Sequence, residues 1–181
     1  MSVPPELVGA WRRVGLTLDD TRLVDCSDVL WLQTPTWFAD IRLRLLPEGR
    51  IPTEGVPAWL YAQAAFAGTA HWSSPMMTWE HVLDYNRSVA PGSNNLARSD
   101  GVLVERGITT VAGSETPFTE EWLRMSGADD ACSLHVEQGA CRVEVGGWAI
   151  ELRDARPEGQ FSAVRYRVNG GGWKVTGSLP L

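Results

Sequence analysis

Val8-Gly9-Ala10-Trp11-Arg12-Arg13-Val14-Gly15-Leu16 is the stretch on which the fold turns. It sets Gly-x-Trp at the head of a strand, the way a small antiparallel ligand-binding barrel begins. A Trp early on the first strand can plug one end of such a barrel, and the Gly lets the chain turn tightly beneath it. Two residues make a shallow motif, so the rest of the chain has to supply the strands. Residues 28–33 read as a second strand, ended by Thr34-Pro35, and residues 37–45 as a third. From Asp40 onward the third alternates strictly. Ile41, Leu43 and Leu45 take one face, and Asp40, Arg42 and Arg44 the other, which is the period of a half-buried strand. In a ligand-binding barrel either face can point inward, so the polar side is a candidate lumen wall.

Beyond this, the Pro- and Gly-rich stretch 47–57 reads as a loop. Residues 58–66 read as one short Ala-rich helix just inside a Pro, stopped by Gly68. Further strands are expected at 69–73, 78–84, 101–106, 118–125, 133–138, 141–145, 148–153, 161–168 and 173–177. Turn signals separate them: Ser74-Pro75, Pro91-Gly92-Ser93-Asn94-Asn95, Asp100-Gly101, Gly146-Gly147 and Asn169-Gly170-Gly171-Gly172. Many short strands with regular turns imply a sandwich or a barrel, and closure into a barrel removes exposed edges. The chain is therefore expected to be mainly β, an antiparallel up-and-down β-barrel with one short helix, residues 1–181 forming a single barrel domain.

Composition narrows the function classes. A chain of 181 residues can bury a real core, and 44% hydrophobic with 21% charged residues excludes disorder. Nine Trp outnumber Phe and Tyr together, and Trp serves cores and ligand pockets alike. The net charge is −6 with a single Lys, Lys174, and no basic run, so nucleic acid is a poor partner. Residues 141–181 are the less acidic part, with six basic and four acidic side chains. No stretch approaches the length of a membrane span, and Met1-Ser2-Val3-Pro4-Pro5-Glu6 lacks the regions of a signal peptide. A cytoplasmic protein is expected. Three cysteines make an odd count without CxxC spacing, which argues against a disulfide framework or zinc knuckle, although Cys132 and Cys141 could face each other across a hairpin.

Several separated pieces resemble a widespread group of bacterial proteins of this size. They are Trp11-Arg12-Arg13, Val29-Leu30-Trp31-Leu32-Gln33, Phe38-Ala39-Asp40-Ile41-Arg42 and Phe66-Ala67-Gly68-Thr69. Trp79-Glu80-His81 with Asp84, Leu103-Val104-Glu105-Arg106-Gly107 and Glu120-Glu121-Trp122 complete the set. The group is similar to the calycin superfamily of lipocalins, fatty-acid-binding proteins and their relatives. That resemblance implies an up-and-down barrel around a ligand cavity. The chain departs from the group at Asp84-Tyr85-Asn86, where a Pro-containing continuation is expected, and it lacks the disulfides of secreted lipocalins.

The polar set Trp31, Gln33, Asp40, Arg42, Glu105 and Glu121 is the strongest candidate site. An inward Arg–carboxylate cluster can orient a ligand or shift a carboxyl group toward acid–base work. An internal salt-bridge plug or a solvated outer face accounts for the same residues. Among the histidines, His81 shares a strand face with Trp79 and Leu83, with Glu80, Val82 and Asp84 opposite, and suits proton transfer near neutral pH. A hydrogen-bonded core histidine is the plainer account of it. His71 shares a face with Thr69 and Ser73, and His135 looks like strand surface. No metal-ligand spacing, nucleophile elbow or phosphate loop is present; no metal or cofactor is expected, with haem on a single His a minor alternative. Trp31, Trp37, Trp59, Trp72, Trp79 and Trp122 come from elements able to surround one cavity, where a planar ligand can stack.

The leading expectation is a module that holds a small hydrophobic or aromatic ligand, with Trp31, Gln33, Arg42, Trp79, Glu121 and Trp122 at the ligand. The alternative is a cofactor-independent isomerase, cyclase or dehydratase in the same cavity, with His81, Asp40 and Glu105 as its acid–base groups. A filled structural barrel is the third. No nucleic acid or membrane partner is expected, and a homodimer is compatible with the sequence.

Overall fold

The computed structural model describes residues 1–25, 27–45, 62–87, 91–126, 130–157 and 159–179. Among these residues all regular structure is β. Nine strands form the first sheet: β1 (Gly9–Leu18), β2 (Thr21–Arg22), β3 (Ser27–Gln33), β4 (Trp37–Arg44), β5 (Ala64–Ser73), β6 (Met76–Asp84), β7 (Gly92–Ser99), β8 (Val102–Val111) and β9 (Ser114–Ser126). Two-residue β2 only extends the edge of β1. The other eight run up and down, each paired with the next, and β1 pairs back onto β9 from Ala10↔Ser126 to Leu18↔Phe118. The result is the closed antiparallel barrel expected, complete by residue 126.

Residues 132–178 build a second sheet, a meander of β10 (Cys132–Glu137), β11 (Ala140–Val145), β12 (Trp148–Asp154), β13 (Phe161–Asn169) and β14 (Gly172–Ser178). Its inner face (Val143, Val145, Ile150, Leu152, Phe161 and Ala163) packs on the outside of the barrel against Leu30, Leu32, Ala39, Ile41, Ala65 and Ala67. This decides which face of β4 points inward. Ile41 belongs to the layer between the sheets, so Asp40 and Arg42 turn into the lumen. It also explains why Val29-Leu30-Trp31-Leu32-Gln33 does not alternate in polarity: β3 is buried on both faces, from Val29 to Gln33 without a break.

The interior is aromatic. Trp11 stacks on Trp31 at 6.0 Å, and Trp31 meets Trp122 and Trp79 edge-on at 5.4 and 5.8 Å. Residues 1–8 cross the end of the barrel near Trp11 and close it. Val3 N–H donates to the Pro35 carbonyl, the Trp11 indole N–H donates to the Leu7 carbonyl at 3.0 Å, and Arg98 and Arg124 reach over the Trp11 ring to the Glu6 carbonyl. Trp11 is thus the plug that Gly-x-Trp implies. The glycine beside it serves close approach rather than a turn, because a Cβ on Gly9 would press on the Ser126 carbonyl at 2.8 Å.

Three sequence expectations need correction. The helix at 58–66 has its first four residues outside the described ones, and Ala64, Ala65 and Phe66 are strand. Their pairing with Arg42, Ile41 and Asp40 overrides Ala-rich helix propensity. Gly92-Ser93-Asn94-Asn95 is not a turn but the first half of β7, held between the ladders of β6 and β8 despite weak β propensity. Cys132 and Cys141 do not face each other across the hairpin but lie out of register, opposite Val145 and Val136. The loop at 47–57, Trp59 and Cys26 lie outside the described residues.

Candidate functional site

The barrel is not filled. A cavity of about 210 Å³ lies beyond the Trp11 plug, lined by Trp31, Phe38, Asp40, Arg42, Phe66, Trp79, His81, Gly92, Asn94, Glu105 and Trp122. Seven of the nine residues that the sequence singles out therefore share one hollow: His81, Asp40, Glu105, Trp31, Arg42, Trp79 and Trp122.

The other two do not line it. Gln33 is fully buried at the β3–β4 turn, where its amide donates to the Thr34 and Trp37 carbonyls at 2.8 and 3.1 Å. Glu121 faces outward and meets Arg22 at 2.8 Å. Adjacent strand residues point to opposite faces, so a Trp122 directed inward forces Glu121 out and brings Glu120 in. Glu120 is 2% exposed and is the residue that alternation singles out. Of the other Trp residues proposed around the cavity, Trp37 packs in the layer between the sheets and Trp72 at the margin of the interior cluster.

From the cavity wall runs a chain of charge that is buried except at Asp25. Arg13 grips Asp25 with two hydrogen bonds of 2.8 Å each and pairs with Glu120. Glu120 lies 3.9 Å from Arg42, and Arg42 Nε donates to Asp40 Oδ1 at 3.0 Å. Burial raises the Asp40 carboxyl group above its ordinary range, against the pull of Arg42. In the sequence Arg13 stands out only as part of Trp11-Arg12-Arg13; its inward direction follows from Trp11 two residues earlier.

Glu105 stands apart from that chain. Its Oε1 accepts from Asn94 Nδ2 at 2.6 Å and its Oε2 from the Trp122 indole at 3.0 Å. Both donors are neutral. Burial pushes its carboxyl group up to about 8, and the nearby Glu120 charge adds to the shift.

His81 closes the ring of the site. Its imidazole stacks on Phe66 at 4.6 Å between centroids and 9° between planes, and its Nδ1 lies 2.6 Å from Asp84 Oδ2. Regular alternation would put Asp84 on the opposite face. A β-bulge intervenes: Gly68 pairs with His81 and Ala67 with Leu83, leaving Val82 unpaired and 58% exposed. Past the bulge the parity flips, so Leu83 joins the layer between the sheets and Asp84 comes round to His81. Gly68 permits this, since any Cβ there would collide with the Glu80 carbonyl. His71 and His135, by contrast, sit on the surface beside Glu80 and Glu137.

Among the described residues no group of three or more His, Cys, Asp or Glu side chains is placed to hold a metal ion. Among the same residues no helix is long and apolar enough to cross a membrane. Comparisons with protein-family models, with curated proteins and with solved structures find no match to the chain. The closed eight-stranded antiparallel barrel is compatible with a calycin-like fold.

Proposed function

We propose that this protein binds a small, partly hydrophobic or aromatic molecule inside the barrel, as a calycin-like binding module. One observation carries the reading: a barrel with a closed end retains a hollow of about 210 Å³ whose wall combines aromatic rings with charged and polar side chains. An apolar cavity of about 150 Å³ is enough to take up benzene, so the space suits a single ring with a short arm. Trp31, Trp79, Trp122 and Phe38 offer ring faces and edges, while Asp40, Arg42 and Glu105 supply the polar anchor. Native mass spectrometry with an absorption spectrum on freshly purified protein tests this. A retained small molecule supports it, and its mass names the chemistry. A bare chain that small aromatic probes also fail to stabilise contradicts it.

A second reading is catalytic. It is favoured by His81, whose Nδ1 is held by Asp84, sharing a cavity with Glu105, whose carboxyl group burial makes a weaker acid. One is a base oriented by a carboxylate and the other an acid, the pairing that proton-transfer enzymes use. This reading predicts a turnover lost in both His81→Ala and Glu105→Gln, with the fold intact.

A further inference from the structure

Taking the cavity as the binding site, we infer that its ligand carries a positive charge: a small ammonium group on a ring-bearing body, with the ammonium on Glu105 and the ring against the tryptophans. Charge is the first ground. Asp40 and Glu105 line the cavity and Glu120 and Asp25 are linked to it through Arg42 and Arg13, four carboxyl groups against two guanidinium groups. Both cations are already committed. Arg13 lies between Asp25 and Glu120, and Arg42 lies between Asp40 and Glu120.

Glu105 is left over. Among the described residues its hydrogen-bond partners are Asn94 and Trp122, and no cationic side chain pairs with it. A carboxylate that lines a cavity and is 7% exposed is costly as a bare anion, and a bound cation removes that cost. An anionic ligand would instead bring a further negative charge to a space already bordered by these carboxyl groups.

The wall is the second ground. The negative faces of aromatic rings attract ammonium groups, and such sites are commonly built from several rings with a carboxylate. Trp122 ties the two features together, since its indole N–H is bonded to Glu105 while its ring lines the same space. The groups around Glu105 that bear charge are Glu120, Arg42 and Asp40. Of these, Glu120 and Asp40 hinder a negative Glu105 while Arg42 favours it, and an incoming ammonium relieves the two carboxylates' repulsion. The proton balance is explicit: near neutral pH a protonated Glu105 gives up its proton to bulk water as the ammonium arrives, leaving a carboxylate–ammonium pair.

The test is calorimetric titration of the full chain with phenethylamine, 3-phenylpropionate and 3-phenylpropanol, in two pH 7 buffers of different ionisation enthalpy. We expect the amine to bind with net proton release, and the propionate to bind roughly tenfold or more weakly. Glu105→Gln should lose roughly tenfold or more of the amine affinity and keep that for the alcohol. Equal or tighter binding of the propionate, or amine binding no tighter than that of the alcohol, overturns the inference. The comparison of the three ligands needs only the natural chain, so it decides the matter even if the variant fails to fold. Alcohol binding without amine binding overturns this inference and leaves the cavity reading standing; no binding by any of the three overturns both.

Discussion

His81 and Asp84 are hydrogen bonded at 2.6 Å although a regular strand would send residues three apart to opposite faces. The bulge at Val82, seated against Gly68, makes the pair. It fixes which imidazole nitrogen is occupied and leaves Nε2 free of Asp84. Asp84 is itself held, since its Oδ1 accepts the Asn86 N–H at 2.6 Å and its carbonyl accepts from Arg156 at 2.8 Å. The imidazole is thus a wall of the cavity in a set orientation.

Asp84→Ala should release that orientation. Long-range nitrogen–proton NMR of the natural chain is expected to show neutral His81 with its proton on Nδ1. In the variant both tautomers should be populated, with the barrel signals unchanged.

Gly68→Ala tests the bulge itself. The added Cβ runs into the Glu80 carbonyl, so one strand has to move. Urea unfolding should show a loss of about 1–3 kcal/mol, in the range of overpacked cores. The His81 resonances should shift with it.

Much of the site is legible in the sequence, and what is not has definite physical causes. Asp40 and Arg42 stand out because β4 alternates, yet alternation alone leaves their direction open. Only the second sheet, by covering Ile41, turns them inward. Glu121 is the wrong member of its acidic pair, although Trp122 fixes the parity in favour of Glu120. The His81–Asp84 pair is out of reach of local reading, because a bulge depends on the partner strand and leaves no signal except Gly68. Asn94 is hidden for a different reason: Gly92-Ser93-Asn94-Asn95 has turn chemistry, and the ladders on either side overrule it.

The two ion pairs at β9 should differ sharply in worth. Arg13→Met takes the hydrogen-bonded cation from buried Glu120, which keeps only Arg42 at 3.9 Å, and from half-buried Asp25, and should cost about 3–5 kcal/mol. Arg22→Ala removes only a half-exposed partner of Glu121 and should cost about 1 kcal/mol or less. Chemical denaturation of both variants checks the contrast.

Glu105 makes stability depend on pH in a defined sense. Its carboxyl group sits at about 8 in the folded chain, above its ordinary value of 4.5, so the folded state holds the proton more tightly than the unfolded state does. Stability from this group is fully present below pH about 4.5 and is lost as pH rises toward about 8. Glu105→Gln removes the titration. Urea midpoints for the two chains should diverge from pH 5 to 8, with the variant gaining on the order of a few kcal/mol relative to the natural chain. A constant difference across that range would show that Glu105 does not titrate there.

The most direct test of the barrel as a binding site is fluorine NMR of protein labelled with 5-fluorotryptophan. The nine tryptophans are assigned by single Trp→Phe replacements and titrated with small ring-bearing probes, neutral, cationic and anionic. A ligand in the cavity should move Trp31, Trp79 and Trp122 together and saturably, while Trp148 and Trp173 on the second sheet stay in place. If no probe moves those three, or if the second-sheet signals respond instead, the barrel is not where this protein binds small molecules.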